Sequence, residues 1–150
     1  MKAVIESPLS APTSDGFREN FRFLLWCCRA MWLEEQTHAL GSHMLNPWFM
    51  DDHVPDERKA GIDNPWVWEP GVIHVFFTDR GISGGMAHAT TRCQRDGLPR
   101  REVALKTYSP RCWNAFERGE WPPGTMRLIP TEICEGRVFR GDLIPPGELA

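Results

Sequence analysis

The chain has 150 residues, 41% of them hydrophobic and 25% charged, with a formal net charge of −3. That length supports one domain with a buried core and excludes two of ordinary size. Lys and Arg are scattered among Asp and Glu with no basic block to track a phosphate backbone, and no apolar run approaches the length of a bilayer span, so neither a nucleic acid polymer nor a membrane is an expected partner.

In chain order, Lys2-Ala3-Val4-Ile5-Glu6-Ser7-Pro8 reads as a short strand that Pro8 stops. Leu9 to Gly16 is a small, polar loop containing Pro12. Ser14 or Asp15 can cap a long helix in which Phe17, Phe21, Leu24, Leu25, Cys28, Met31 and Trp32 recur at three- and four-residue intervals. Arg18, Arg22, Arg29 and Glu34 fall off that stripe, as on a helix lying on a sheet. Asn20, one turn in from the loop, is a candidate ligand contact, with an ordinary exposed Asn as the alternative.

His38 to Pro47 reads as a short strand or extended segment. His38, His43 and His53 share no helical spacing, and no His-x-x-x-His pattern occurs. The five cysteines are odd in number and lack CxxC spacing, which suggests buried thiols and no disulfide framework or zinc site. No metal and no cofactor are expected. Asp51 to Gly61 is the most acidic patch. Pro55-Asp56-Glu57 suits the first turn of a short helix, with acids at the positive end of its dipole. Capping leaves Asp51 and Asp52 unexplained, so they are either acid/base or sugar-hydroxyl contacts or a solvated loop.

Val72 to Phe77 reads as a strand covered on both faces, the burial typical of parallel α/β sheets. Ser83 is a plausible N-cap for a helix running to Asp96, with Gly97 as its stop. Gly81, Gly84 and Gly85 let backbone approach a ligand, and Met86 opens the helix behind them. Free N–H groups at the helix start and the Arg80 guanidinium would favour an anion there. Because ligands of open α/β sheets bind beyond the carboxyl ends of the strands, Asp79 to Gly85 is the first place to look for a site. Glu102 to Thr107 reads as a further strand completing a βαβ unit. Beyond Pro110, five prolines interrupt the remaining pattern and leave candidate strands at Met126–Ile129 and Arg137–Leu143. The organisation expected is an α/β domain over 1–108 and an accessory tail over 109–150, packed on the domain or on a partner subunit. Trp48, Trp66 and Trp68 lie in Pro-containing segments and either line a pocket or oligomer interface or fill the core.

Glu6-Ser7-Pro8, the Asp51–Gly61 patch and Thr78-Asp79-Arg80-Gly81-Ile82-Ser83-Gly84-Gly85-Met86 together resemble an uncharacterised group of phage and bacterial proteins similar to the nucleoside 2-deoxyribosyltransferase superfamily. The resemblance spans about Lys2 to Lys106. It implies an α/β fold, a flavodoxin-like or Rossmann-like three-layer sandwich with a mostly parallel sheet, followed here by an irregular C-terminal extension. It implies cleavage or exchange of an N-glycosidic bond, by a transferase or a hydrolase acting on deoxynucleosides or their 5′-monophosphates. It further implies a nucleoside or nucleotide ligand. The lack of a bilayer-length apolar run and of a signal stretch suits a cytoplasmic protein, in the host cytoplasm if phage-encoded, and the tryptophans and proline-rich tail suit a homo-oligomer interface.

The superfamily pattern Asp-x-Gly-Thr-x-x-Glu matches here at Asp79 and Gly81, and its nucleophilic Glu falls on Gly85. Glycine has no group to attack a sugar carbon, so cleavage would need a substitute carboxylate. The catalytic candidates are Glu6, Asp52 and Asp79. Around them the resemblance implies substrate contacts at Ser7, Pro8, Asn20, His43, Asp51 and Arg58. On the glycine-rich turn it implies Arg80, Gly81, Ser83, Gly84, Gly85 and Met86. Three readings stay open: a glycosidase with a non-standard carboxylate, a binding or sequestering protein that has lost its nucleophile, and a structural or interaction protein whose tryptophans and proline-rich tail form a subunit interface.

Overall fold

The computed structural model describes residues 2–42, 54–123 and 125. Four strands, β1 (Lys2–Glu6), β2 (His38–Gly41), β3 (Ile73–Phe77) and β4 (Arg100–Val103), form one sheet in the order β2-β1-β3-β4. All three pairings are parallel. Parallel neighbours need crossover segments, and these are helical: α1 (Ser14–Glu35) joins β1 to β2, α2 (Pro55–Ile62) and α3 (Pro65–Trp68) precede β3, and α4 (Gly84–Asp96) joins β3 to β4. After β4 come α5 (Leu105–Tyr108) and α6 (Pro110–Glu117). The fold is a Rossmann-like α/β sandwich.

Alternation along the central strands divides the core into two layers. Ala3, Ile5, Val75 and Phe77 face α1, α5 and α6, where Phe23, Leu24, Cys27, Ala30, Met31, Leu105, Cys112 and Phe116 complete the larger cluster. On the opposite face Val4 packs with Val67 and Val72, and Phe76 packs with Met86 and Ala89 of α4. Gly41 at the end of β2 lets α1 lie close, since a Cβ there would come within 2.5 Å of Leu24.

The local signals for α4 hold as expected: Ser83 Oγ accepts from the Met86 amide at 3.2 Å, and Gly97 ends the helix with φ 65°. Pro55, Asp56 and Glu57 form the first turn of α2, whose residues are all exposed or half-buried. Elsewhere the structure differs from the sequence pattern. The cap of α1 is Thr13, whose hydroxyl accepts from the Gly16 amide at 3.1 Å. Its buried face runs through Phe23, Trp26, Cys27 and Ala30, whereas Trp32 is 46% exposed. Arg22, expected on the solvent side, is buried, because α1 is covered by α6 as well as by the sheet.

The strand expected at Glu102–Thr107 lies earlier, at Arg100–Val103, and Leu105–Tyr108 is helical. The reason is tertiary. Asp79 supplies the N-terminal cap that the local sequence lacks, accepting from the Leu105 amide at 2.6 Å and the Lys106 amide at 3.0 Å. The first part of the expected tail is the helix α6, which adds Cys112, Ala115 and Phe116 to the main core. Pro110 stands in its first turn, where a missing N–H costs no hydrogen bond. The strands expected at Met126–Ile129 and Arg137–Leu143 lie outside the described residues.

Phe116 meets Phe23 edge-on with ring centroids 5.3 Å apart and lies under the Arg22 guanidinium at 4.2 Å. Truncating Phe116 to Ala is expected to lower stability by about 3–5 kcal/mol, as for other buried aromatic deletions, measured by urea unfolding. A loss below about 1 kcal/mol would show that α6 is not part of the cooperative core.

Candidate functional site

Strand order reverses between β1 and β3: the chain leaves β1 toward β2 on one side and leaves β3 toward β4 on the other. At such a switch point the two outgoing loops diverge and open a crevice beyond the carboxyl ends of the strands. Here those loops are Ser7–Thr13 and Thr78–Ser83. Ser7, Pro8 and Leu9 are buried against the end of β1, and Ser10, Pro12 and Thr13 are exposed beyond them.

The loop after β3 is closely tied down. The Thr78 amide donates to the Val103 carbonyl at 3.0 Å, and the Gly81 amide to the Thr78 carbonyl at 3.0 Å. Gly81 has φ 88°, a left-handed conformation that glycine adopts without strain. Asp79 spends both carboxylate oxygens on the amides that open α5. Arg80 donates from Nε to Asn20 Oδ1 at 2.8 Å. Asn20 is itself buried, and its Nδ2 donates to the carbonyls of Leu9 at 3.1 Å and Ser10 at 3.4 Å. One amide side chain therefore joins both walls of the crevice. At the start of α4, Gly84 and Gly85 are exposed, and a Cβ on Gly84 would meet nothing within 4 Å. Met86 turns inward against Phe76.

Beneath the crevice a polar group interrupts the second core layer. Glu6 Oε1 lies 3.1 Å from His74 Nδ1, and Glu6 Oε2 accepts from Ser42 Oγ at 3.1 Å. The side chains of Glu6 and His74 are 3% and 0% exposed. Trp68 stacks on His74 with centroids 4.8 Å apart, and the Arg92 guanidinium lies 4.1 Å from the Trp68 ring while bonding Asp63 at 2.9 Å. A buried carboxylate needs such partners, because an unpaired one costs several kcal/mol of desolvation. His74 Nε2 has no hydrogen-bond partner among the described residues.

The residues singled out from the sequence fall into separate groups. Asn20 and Arg80 are in direct contact, and Ser83, Gly84, Gly85 and Met86 form the first turn of α4. Glu6 and Asp79 end neighbouring strands but bond to different partners, Glu6 to His74 and Ser42, Asp79 to α5. Arg58 is exposed on α2, away from these contacts. His43, Asp51 and Asp52 lie outside the described residues. Trp68, expected to line a pocket or interface or to fill the core, stacks on His74, which sequence reasoning passed over although one signal was present: His74 is the single ionisable residue in the otherwise apolar run Val72–Phe77.

Among the described residues no group of three or more His, Cys, Asp or Glu side chains could hold a metal ion, and no helix is long and apolar enough to cross a membrane. Three of the described thiols are shifted away from activation. Burial raises Cys27 well above its ordinary value, Cys28 to about 12 and Cys93 to about 11, and a thiol nucleophile needs the opposite shift.

Residues 1–103 match the family described as Domain of unknown function (DUF7768). The chain belongs to that family. No curated protein and no solved structure matches it.

Raised thiols make two measurable outcomes. In maleimide labelling at pH 8, Cys93 in the folded protein should react about a hundredfold more slowly than after unfolding, read by peptide mass mapping. Folding also retains thiol protons that the unfolded chain releases above the ordinary value of 9.0, so this contribution to stability is complete below pH 9 and lost as pH rises toward about 12. Equal labelling rates before and after unfolding would contradict the burial of these side chains.

Proposed function

We propose that this member of the DUF7768 family binds a nucleoside or nucleotide at the C-terminal edge of its sheet, and holds it without the double-displacement chemistry of the deoxyribosyltransferases its sequence resembles. The observation that carries the proposal is the reversal of strand order at β1 and β3, from which the Ser7–Thr13 and Thr78–Ser83 loops leave in opposite directions, the arrangement in which doubly wound sheets take their ligands. The exposed glycines at the start of α4 allow close backbone approach, and the Asn20–Arg80 contact supplies a fixed guanidinium beside them.

Among the described residues, binding is favoured over cleavage by the state of the candidate carboxylates. Gly85 stands where the resemblance has a nucleophile. Asp79 has both oxygens engaged by backbone amides. Glu6 is buried, with its oxygens engaged by His74 and Ser42. A nucleophilic carboxylate must reach the anomeric carbon with a free oxygen, while a second group protonates the leaving base.

A ligand that binds only the folded state raises its melting temperature, by an amount equivalent to about 2.7 kcal/mol at a concentration one hundred times Kd. Thermal-shift screening against deoxynucleosides and their mono-, di- and cyclic phosphates should therefore show stabilisation by at least one class. Chromatography of the same mixtures should show no free base above the background of a heat-denatured control. Stabilisation accompanied by base release would move the assignment to an N-glycosidase with a non-standard carboxylate, and a flat response across the panel would overturn it.

A further inference from the structure

At the early turns of α1 three guanidinium groups act on one carboxylate. Arg18, Arg22 and Arg80 surround Glu19. The Arg22 hydrogen bond first, and then the charges of Arg22, Arg80 and Arg18, hold the Glu19 carboxyl below its ordinary value although burial opposes this. Arg22 accounts for that carboxylate alone, donating to it from Nε at 3.1 Å and Nη2 at 2.7 Å. Its Nη1 is spent on the carbonyls of Phe116 at 2.7 Å and Glu120 at 2.8 Å.

Two guanidinium groups then remain without a carboxylate. Arg18 lies 4.9 Å from the Trp121 ring, and Arg80 lies 5.5 Å from the Phe116 ring. Neither bonds a carboxylate among the described residues. Asp79, beside Arg80 in sequence, is occupied with the amides of α5, and Glu120, beside Trp121, with Arg118. Arg80 is the better placed of the two, because it is exposed, belongs to a wall of the crevice and has Nε fixed by a buried Asn20. With Nε fixed and the ring of Phe116 beneath it, little rotamer freedom is left to lose when the two Nη groups engage a ligand.

We infer that Arg80, with Arg18 adding to the local field, forms an anion subsite that takes a phosphate group of the ligand and makes the crevice select nucleotides over nucleosides. A guanidinium fork matches phosphate oxygens bidentately, and such charge-assisted bonds are stronger than neutral ones. This specificity presupposes the nucleotide-binding crevice proposed for the chain.

The test is isothermal titration of the full chain with a deoxynucleoside, its 5′-monophosphate and inorganic pyrophosphate, in wild type, Arg80→Ala, Arg80→Lys and the control Arg95→Ala at the far end of α4. Wild type should bind the monophosphate at least about tenfold more tightly than the nucleoside. Arg80→Ala should erase that preference and weaken pyrophosphate binding, with the loss for the monophosphate at least about tenfold larger than the loss for the nucleoside, which reads the effect of releasing Asn20 alone. Arg80→Lys should recover part of it, since an ammonium cannot bind bidentately, and Arg95→Ala should resemble wild type. Equal affinity of wild type for nucleoside and monophosphate, or a preference that survives Arg80→Ala, would overturn the anion subsite and leave the crevice standing. Absence of binding by both nucleoside and monophosphate would overturn the crevice, and the subsite with it.

Discussion

Two adjacent side chains, Asp79 and Arg80, fasten the loop after β3 to different parts of the molecule. Asp79 caps α5 with both oxygens, and Arg80 reaches Asn20 on α1. Each contact involves an ionised partner, so each is stronger than a neutral hydrogen bond, on the order of 1.5–3 kcal/mol before solvent exposure weakens it. Neither contact is local in sequence. Together they fix the path of residues 78–83 and so the position of the α4 start relative to the end of β1. They also decide what Asp79 is available for: a carboxylate that ends a helix in this way is committed to the fold at both oxygens.

Asn20 extends the same constraint to the other side of the crevice. Its carbonyl oxygen takes Arg80 while its amide nitrogen holds the backbone of Leu9 and Ser10, so both loops lean on one buried side chain. Below them the Glu6–His74 pair sets the character of the second core layer. An imidazole pressed between a carboxylate and the Trp68 ring is held in orientation by both, and the pair links β1 to β3 through side chains as well as through the backbone ladder. Such a buried polar pair contributes little net stability against a hydrophobic replacement, but removing one partner leaves the other stranded at a cost of several kcal/mol.

Much of the architecture was legible in the sequence because it rests on local rules. The apolar runs at Ala3–Ile5 and Ile73–Phe77, the cap at Ser83, the stop at Gly97 and the acidic first turn at Pro55 each carry their own signal. What the sequence hid depends on distant partners. The α5 helix follows from Asp79, 26 residues earlier, and no local residue announces it. Arg22 is buried because the backbone carbonyls of Phe116 and Glu120, more than 90 residues away, receive its donors. The α1 stripe was displaced for the same reason, since periodicity identifies one buried face and this helix has two. At the candidate site, the pairing of Asn20 with Arg80 was not readable, though each residue had been singled out separately. His74 was passed over because a hydrophobic strand absorbs one histidine without breaking its pattern.

The proposed binding role requires that a ligand sit in the crevice between β1 and β3. Nuclear magnetic resonance titration of the ¹⁵N-labelled chain with a deoxynucleoside 5′-monophosphate tests this most directly. Saturable amide shifts are expected to concentrate at Ser7, Ser10, Arg80, Gly81, Gly84 and Gly85, with α2 and the far end of α4 unmoved. Saturable shifts confined to α2 or to the outer edge of β4, with the two crevice loops silent, would contradict that role.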